Sequence, residues 1–112
     1  MITKHKISFV VPENLYVDLR ERIIGDRYGF RDKSKWISEA IEKLLAFNNF
    51  IELVSYGDEL HGFEKTETIV IDYALKTKLE EAIVKIRKEF PMIEGVKSRI
   101  VRTAILQRLL RG

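Results

Sequence analysis

The sequence predicts an α+β fold, mostly α-helical, in which one strand-helix-helix unit occurs twice. Two similar runs that open helices lie 64 residues apart, at Ser34 and Ser98, and two alternating apolar runs typical of strands lie 60 residues apart. A more polar link separates the two units. Because one strand alone leaves its backbone unpaired, we expect a two-stranded antiparallel ribbon enclosed by four helices, an intramolecular pseudo-dimer.

The composition is typical of one small globular domain. The 112 residues are 46% hydrophobic and 33% charged, with no cysteine, which excludes a disordered chain, a disulfide framework and a cysteine zinc site. No apolar run approaches the ~20 residues that span a bilayer, and the polar start lacks a signal-peptide core, so a cytoplasmic location is expected. The net charge is only +3, so a nucleic-acid partner would have to be attracted by local charge.

The first unit, residues 1–47, opens with a strand from Lys6 to Val11. Its side chains alternate between two faces, and the inward set is Ile7, Phe9 and Val11. Pro12 limits the strand and suits the start of a helix over Glu13–Ile24. After a polar turn, the second helix begins near Ser34, with a broad apolar face formed by Trp36, Ile37, Ala40, Ile41, Leu44 and Leu45.

The link, residues 48–64, is expected to be partly helical, because its first part is apolar enough to prolong a helix or to pack on the core. The second unit, residues 65–112, repeats the order. Its strand contains the inward residues Ile69 and Ile71, Asp72 can cap the next helix, Pro91 ends that helix, and Ser98 opens the last one. Glu67 occupies the inward position equivalent to Ile7, so we expect the second strand to be shorter or frayed there.

The order of elements and two runs resemble ribbon-helix-helix DNA-binding repressors, the class of the Arc and methionine repressors. The runs are Lys-Ile-Ser-Phe-Val-Val-Pro-Glu at 6–13 and Lys-Ser-Lys-Trp-Ile-Ser-Glu-Ala-Ile at 33–41. Family members are usually dimers of one unit, whereas this chain is similar to a tandem version, such as the regulators reported from archaeal viruses. The resemblance covers about residues 4–47 and 65–111.

The resemblance implies a sequence-preferring transcription regulator that binds double-stranded DNA and acts as a repressor. Activation by recruitment is the alternative to repression. The resemblance implies no cofactor. Self-association on DNA is expected. If the chain is viral, the expected location is the cytoplasm of the host cell. The family inserts its ribbon into the major groove, so outward side chains face base edges. These are Lys6, Ser8 and Val10 in the first unit and Thr66, Thr68 and Val70 in the second. The alternative is an ordinary solvent-facing sheet surface.

In the family, the start of the second helix of each unit binds a DNA phosphate through backbone N–H groups. The corresponding positions at the two helix starts are Lys33, Ser34, Lys35, Lys97, Ser98 and Arg99. Two cations near the starts of the predicted strands, Lys4 and Lys65, are expected to add phosphate contacts. A plain serine N-cap with basic neighbours is the alternative. The arginines farther along the last helix are expected to form a solvated face: Arg102, Arg108 and Arg111.

Two other function classes are alternatives to DNA binding. A protein-interaction module, such as an antitoxin-like adaptor or a nucleoid or virion component, would use exposed apolar side chains near the link: Phe47, Phe50, Leu53, Val54 and Tyr56. An enzyme is not expected, because His5 and His61 have no paired spacing and no nucleophile or phosphate-loop motif occurs. The run Asp58-Glu59 beside His61 fits a solvated loop better than a metal site. No membrane or small-molecule partner is indicated.

Overall fold

The fold consists of an antiparallel pair of strands and five helices in the part of the chain that the structure describes. The computed structural model describes residues 3–29, 32–56 and 64–111. The elements are β1 (Lys4–Pro12), α1 (Glu13–Gly25), α2 (Lys33–Leu45), α3 (Phe50–Ser55), β2 (Glu64–Asp72), α4 (Tyr73–Glu89) and α5 (Val96–Arg111). The mixed, mostly helical class is confirmed. The expected number of four helices is wrong, because part of the link forms the separate short helix α3.

The two strands pair antiparallel and make up the whole sheet. Lys4 lies opposite Asp72 at one end and Pro12 opposite Glu64 at the other, with Ser8 facing Thr68 at the centre. Each strand has nine residues, so both extend beyond the alternating runs that predicted them. The ribbon therefore joins one segment from each half of the sequence.

The expectation that β2 is short or frayed at Glu67 is wrong, because its inward carboxylate is paired. Glu67 lies opposite Phe9 within the continuous strand, and its side chain is only 12% exposed. One carboxylate oxygen lies 3.3 Å from Lys33 Nζ and the other 3.9 Å from Lys65 Nζ. The hydroxyl of Tyr16 also hydrogen-bonds to this carboxylate. Burial of a charge is tolerated when it is paired in this way.

The inner face of the ribbon and the helices form one hydrophobic core. The inward strand residues named from the alternation are all buried, with Phe9 1% exposed and Val11 fully buried. Trp36 is fully buried as well, and its indole N–H donates a hydrogen bond of 2.9 Å to the Asp26 carboxylate. A buried indole needs such a partner because its donor has left water.

The helix ends follow local chemistry. The Asp72 carboxylate accepts a hydrogen bond of 2.7 Å from the Leu75 N–H, so the predicted N-cap of α4 is confirmed. That helix ends at Glu89, two residues before Pro91, as expected from the missing N–H of proline. The last helix begins two residues earlier than predicted, at Val96, after Gly95 with its positive φ of 61°.

Each long helix that follows a turn packs against the strand from the other half of the chain. Helix α2 packs on β2, α5 packs on β1, and α2 and α5 pack together. Helix α3 lies against α4 and α5. Within residues 3–29, 32–56 and 64–111, no helix has both the length and the apolarity needed to cross a membrane.

Candidate nucleic-acid interface

The outward face of the ribbon brings together all six side chains that the alternation assigned to it. They form three cross-strand pairs, Lys6 with Val70, Ser8 with Thr68, and Val10 with Thr66. The valines are half-buried and the other four residues are exposed. At the centre, Ser8 Oγ and Thr68 Oγ1 are hydrogen-bonded at 2.9 Å. The six residues are therefore one contiguous surface.

This ribbon face carries several kinds of recognition chemistry. The Lys6 amine is a donor, the hydroxyls of Ser8, Thr66 and Thr68 can donate or accept, and the valine methyls are apolar. Two paired strands lie about 4.8 Å apart, narrow enough to enter a B-DNA major groove about 12 Å wide. The face is thus suited in size and chemistry to the edges of base pairs.

Two equivalent hydrogen bonds attach the N-termini of α2 and α5 to the ribbon. Ser34 Oγ accepts from the Val70 N–H at 3.0 Å, and Ser98 Oγ accepts from the Val10 N–H at 3.0 Å. Neither hydroxyl caps its own helix, since the residue at the N-cap position of α2 is Asp32 and α5 begins at Val96. The two serines instead anchor the helix starts at opposite strands.

These helix starts have features that attract anions. The first N–H groups of a helix lack intrahelical partners and lie at the positive end of its dipole. Neither α2 nor α5 has an acidic residue in its first turn, although Asp32 immediately precedes α2. A phosphate near either end would meet unpaired donors beside the ribbon.

The predicted cations around α2 differ in whether an acidic side chain of the protein pairs with them. Lys35 is exposed and its Nζ lies 5.9 Å from the centre of the Tyr28 ring. Lys33 forms the ion pair with Glu67, and Lys65 lies 4.0 Å above the Tyr16 ring and 3.9 Å from the same carboxylate. Glu67 therefore reduces the positive potential at this end of the ribbon.

At the start of α5, Lys97 is partly exposed, whereas the Arg99 guanidinium makes hydrogen bonds within the protein. The Arg99 guanidinium donates to the carbonyl oxygens of Val54 at 3.1 Å and Ser55 at 2.9 Å. These carbonyls belong to the last turn of α3, where unpaired acceptors and the negative dipole end favour a cation. Lys4, the remaining predicted cation, is exposed and lies opposite Asp72.

Arg102 is a ribbon contact that the sequence reasoning missed. Its guanidinium donates to the Val10 carbonyl at 3.0 Å, so α5 holds both the N–H and the C=O of this residue. Burial lowers the pKa of Arg102, and the nearby Arg99 charge adds to the effect, while Glu64 opposes it. Because Arg102 follows Ser98 by four residues, the helical period alone would have placed both on one face.

The other two arginines expected to be solvated also pack against the protein. The Arg108 side chain is only 10% exposed and lies 4.4 Å from the centre of the Trp36 ring, donating to the Trp36 carbonyl at 2.7 Å. Arg111 lies 4.8 Å from the centre of the Phe47 ring. The prediction of a solvated arginine face is therefore wrong for Arg102 and Arg108, whereas Arg111 stays exposed beside this ring.

The apolar surface proposed for a protein-interaction module is largely covered. Val54 is buried, and Phe47, Phe50 and Leu53 pack against the core. Tyr56 is the member of this set that is exposed to solvent, at 84%. Packing of α3 against α4 and α5 accounts for the difference.

The described residues contain no group of three His, Cys, Asp or Glu side chains placed to hold a metal ion. The run Asp58, Glu59 and His61 lies outside the described residues. His5 sits on the ribbon, its ring 5.9 Å from that of Tyr73.

A scan against protein-family models finds no match, and searches of curated proteins and of solved structures find none either. The ribbon face and the two helix starts anchored beside it are the features from which a function can be inferred.

Proposed function

We propose that this protein is a sequence-preferring transcription regulator that binds double-stranded DNA by inserting the β1–β2 ribbon into the major groove, and that it acts as a repressor. One observation carries the proposal. Two strands from opposite halves of the chain form a ribbon whose outward face is uncovered and holds all six side chains assigned to base contact. A ribbon of this kind is a known reader of the major groove.

The internal correspondences of the fold support a tandem ribbon-helix-helix arrangement that folds as a pseudo-dimer. Ser8 and Thr68, equivalent positions 60 residues apart, face each other at the centre of the ribbon. Ser34 and Ser98, equivalent positions 64 residues apart, make hydrogen bonds of the same kind and length to the opposite strands. Both pairs are what an approximate twofold axis through the ribbon centre requires.

Base recognition is assigned to the ribbon face. Lys6 would donate to guanine O6 or N7, the hydroxyls would donate or accept, and Val10 and Val70 would pack against thymine methyl groups. The two strands present different sets, with Lys6 on one and Thr66 at the equivalent place on the other. We therefore expect two unlike half-sites rather than a perfect palindrome.

Phosphate contacts are assigned to the helix starts that flank the ribbon. Lys35 at α2 and Lys97 at α5 are the predicted cations at these starts that make no ion pair within the described residues. With the unpaired N–H groups of each first turn, they would fix the register of the ribbon on the duplex without reading sequence. Repression then follows because the bound protein occupies a promoter and excludes the polymerase.

The test is selection of bound fragments from a random duplex pool by the full chain, followed by affinity measurements on the enriched sequence and on random DNA. We expect enrichment of a defined sequence and an affinity that falls steeply with salt, as counterions leave neutralised phosphates. The stoichiometry of the complex reports self-association on DNA. Absence of both enrichment and duplex binding would overturn the proposal and favour a module that binds protein.

A matched pair of variants tests the phosphate contacts. The double change Lys35→Ala and Lys97→Ala should weaken binding to all sequences alike and reduce the slope of log K against log salt by about two. Lys88→Ala, an exposed position near the far end of α4, should leave the slope unchanged. Equal slopes for the double variant and the unchanged protein would remove the two helix starts from the interface.

A further inference from the structure

A wide groove lies between α1, with the adjoining Asp26, and the C-terminal half of α5, and no described residue of the ribbon lines it. Its volume is about 610 Å³. Its apolar base is formed by leucines of both helices, of which Leu106 is 43% exposed and Leu110 is 72% exposed. Gly25 lies at its edge, with nothing within 4 Å of the place where a Cβ would stand. The groove is open to a ligand.

The equivalent groove in the other half of the molecule is largely filled. It lies between α2 and α4, has a volume of about 130 Å³, and includes Phe50 from α3 among its lining residues. Leu45 in this groove corresponds to Leu109 in the open one, and Glu81 corresponds to Glu21. Phe50, which packs against the core, shows what kind of side chain such a groove accepts.

The charges at the rims of the two grooves are different. The filled groove has Lys78 and Lys85 at its rim, whereas the open groove has Asp18 and Gly25 at the equivalent places and Asp26 beside them. Arg22 is the basic residue that lines the open groove, and its guanidinium already donates a hydrogen bond of 2.7 Å to the Leu109 carbonyl. The open groove thus combines an apolar base with an acidic rim, which favours a basic ligand.

We propose that the α1–α5 groove binds a short amphipathic helix of a partner protein, with a large apolar or aromatic side chain where Phe50 lies in the other groove, and with lysine or arginine facing Asp18 and Glu21. Binding of an apolar helix face in a groove is a common recognition mode. Leu106 follows Ser98 by eight helical residues, roughly 12 Å along α5. A partner could therefore bind while the ribbon is on DNA, which would suit a regulator that recruits or is controlled by another protein.

The probes are two synthetic peptides that copy residues 47–56, one with the native Glu52 and one with E52K. They are titrated into the isotope-labelled full chain while its amide signals are followed by NMR. We expect the E52K peptide to shift the signals of residues that line the α1–α5 groove and to bind about threefold tighter than the native peptide, the effect of one exposed ion pair. Asp18→Lys in the protein should reverse the order of the two peptides.

Leu110→Lys is the variant that closes the test, because a residue 72% exposed can be changed without loss of the core. It should abolish the shifts in the groove and leave DNA affinity unchanged, so a failure here is distinguishable from a failure of DNA binding. The proposal is overturned if neither peptide shifts groove signals, or if Leu110→Lys leaves the shifts intact. It is also overturned if light scattering shows that Leu110→Lys dissociates a dimer, since the occupant would then be a second copy.

Discussion

The hydroxyl of Ser98 accepts a hydrogen bond of 3.0 Å from the backbone N–H of Val10, a residue 88 positions earlier in the chain. This N–H points away from β2, at an edge where a two-stranded ribbon leaves donors unpaired. Ser34 does the same for Val70. Each helix start is thereby held at a fixed height beside the ribbon, which sets where a phosphate could lie relative to the outward side chains.

Removal of either serine hydroxyl should destabilise the protein by a similar amount. Ser98→Ala and Ser34→Ala each leave a partly buried N–H without its acceptor, which costs about 1 kcal/mol in the free energy of unfolding. Urea unfolding of the two variants measures this. Ser55→Ala, which removes an exposed hydroxyl bonded to the Glu52 carbonyl, is the control and should change stability by less than about 0.5 kcal/mol. A clear cost for Ser98 with none for Ser34 would contradict the equivalence of the two anchors.

Lys6→Ala should reduce sequence preference more than affinity for random DNA. Lys6 is exposed on the outward face opposite Val70, and loss of a direct base contact costs about 1–3 kcal/mol of discrimination. The measurement is the ratio of affinities for the selected and random duplexes at one salt concentration. Lys88→Ala should leave this ratio unchanged. An equal loss on both duplexes would reassign Lys6 to a phosphate.

Glu67→Gln should strengthen DNA binding. The change removes a negative charge near the start of α2 and releases Lys33 and Lys65, both within 4.0 Å of that carboxylate. The slope of log K against log salt should steepen by up to about two, close to one for each released cation that reaches a phosphate. Glu80→Gln, which breaks the exposed pair with Lys76 on α4, serves as the control. Weaker binding by Glu67→Gln would show that the ion pair is needed to shape the ribbon.

Tyr16 should ionise at a higher pH in the folded protein than in the unfolded chain. Burial raises the pKa of Tyr16 above its ordinary value of 10.0, and the hydrogen bond and negative charge of Glu67 raise that pKa further. The folded state therefore keeps a proton that the unfolded chain loses first. The resulting stabilisation is complete below pH 10 or so and is lost as the pH passes through the folded pKa.

Glu67→Gln should move the Tyr16 pKa down toward its ordinary value, because the carboxylate charge is removed. The tyrosinate absorbance of the native protein, of Glu67→Gln and of Tyr16→Phe identifies the transition. If the transition that Tyr16→Phe removes lies at the ordinary value of 10.0 in the native protein, the contact with Glu67 does not survive in solution.

Much of the architecture could be predicted from the sequence because it depends on local periodicity. The alternation around Phe9 and Ile69 predicts two strands and their buried faces, and the four-residue spacing of apolar residues predicts the long helices. The same alternation assigns six side chains to one outward face. What it cannot supply is the pairing register, which depends on how the whole inner face packs.

The expectations that were wrong concern polar side chains whose partners are distant in sequence. Glu67 appeared incompatible with an inward position, and Arg108 appeared solvated, because Lys33 and Trp36 are not their neighbours along the chain. The link is expected to be partly helical, but the sequence does not predict that α3 is a separate helix, since its stability depends on packing against α4 and α5 and on the guanidinium of Arg99 at its last carbonyls.

The sequence by itself determined the helical and strand segments, the inward and outward sides of each strand, and the presence of serine and a basic residue at two helix starts. These follow from side-chain period and local backbone chemistry. Only the tertiary structure decided that the two serines accept hydrogen bonds from the edges of the ribbon and that Glu67 forms ion pairs with Lys33 and Lys65. It also decided that one of the two equivalent grooves stays open. Such outcomes depend on which groups meet across long stretches of chain, where desolvation requires a partner and packing selects it.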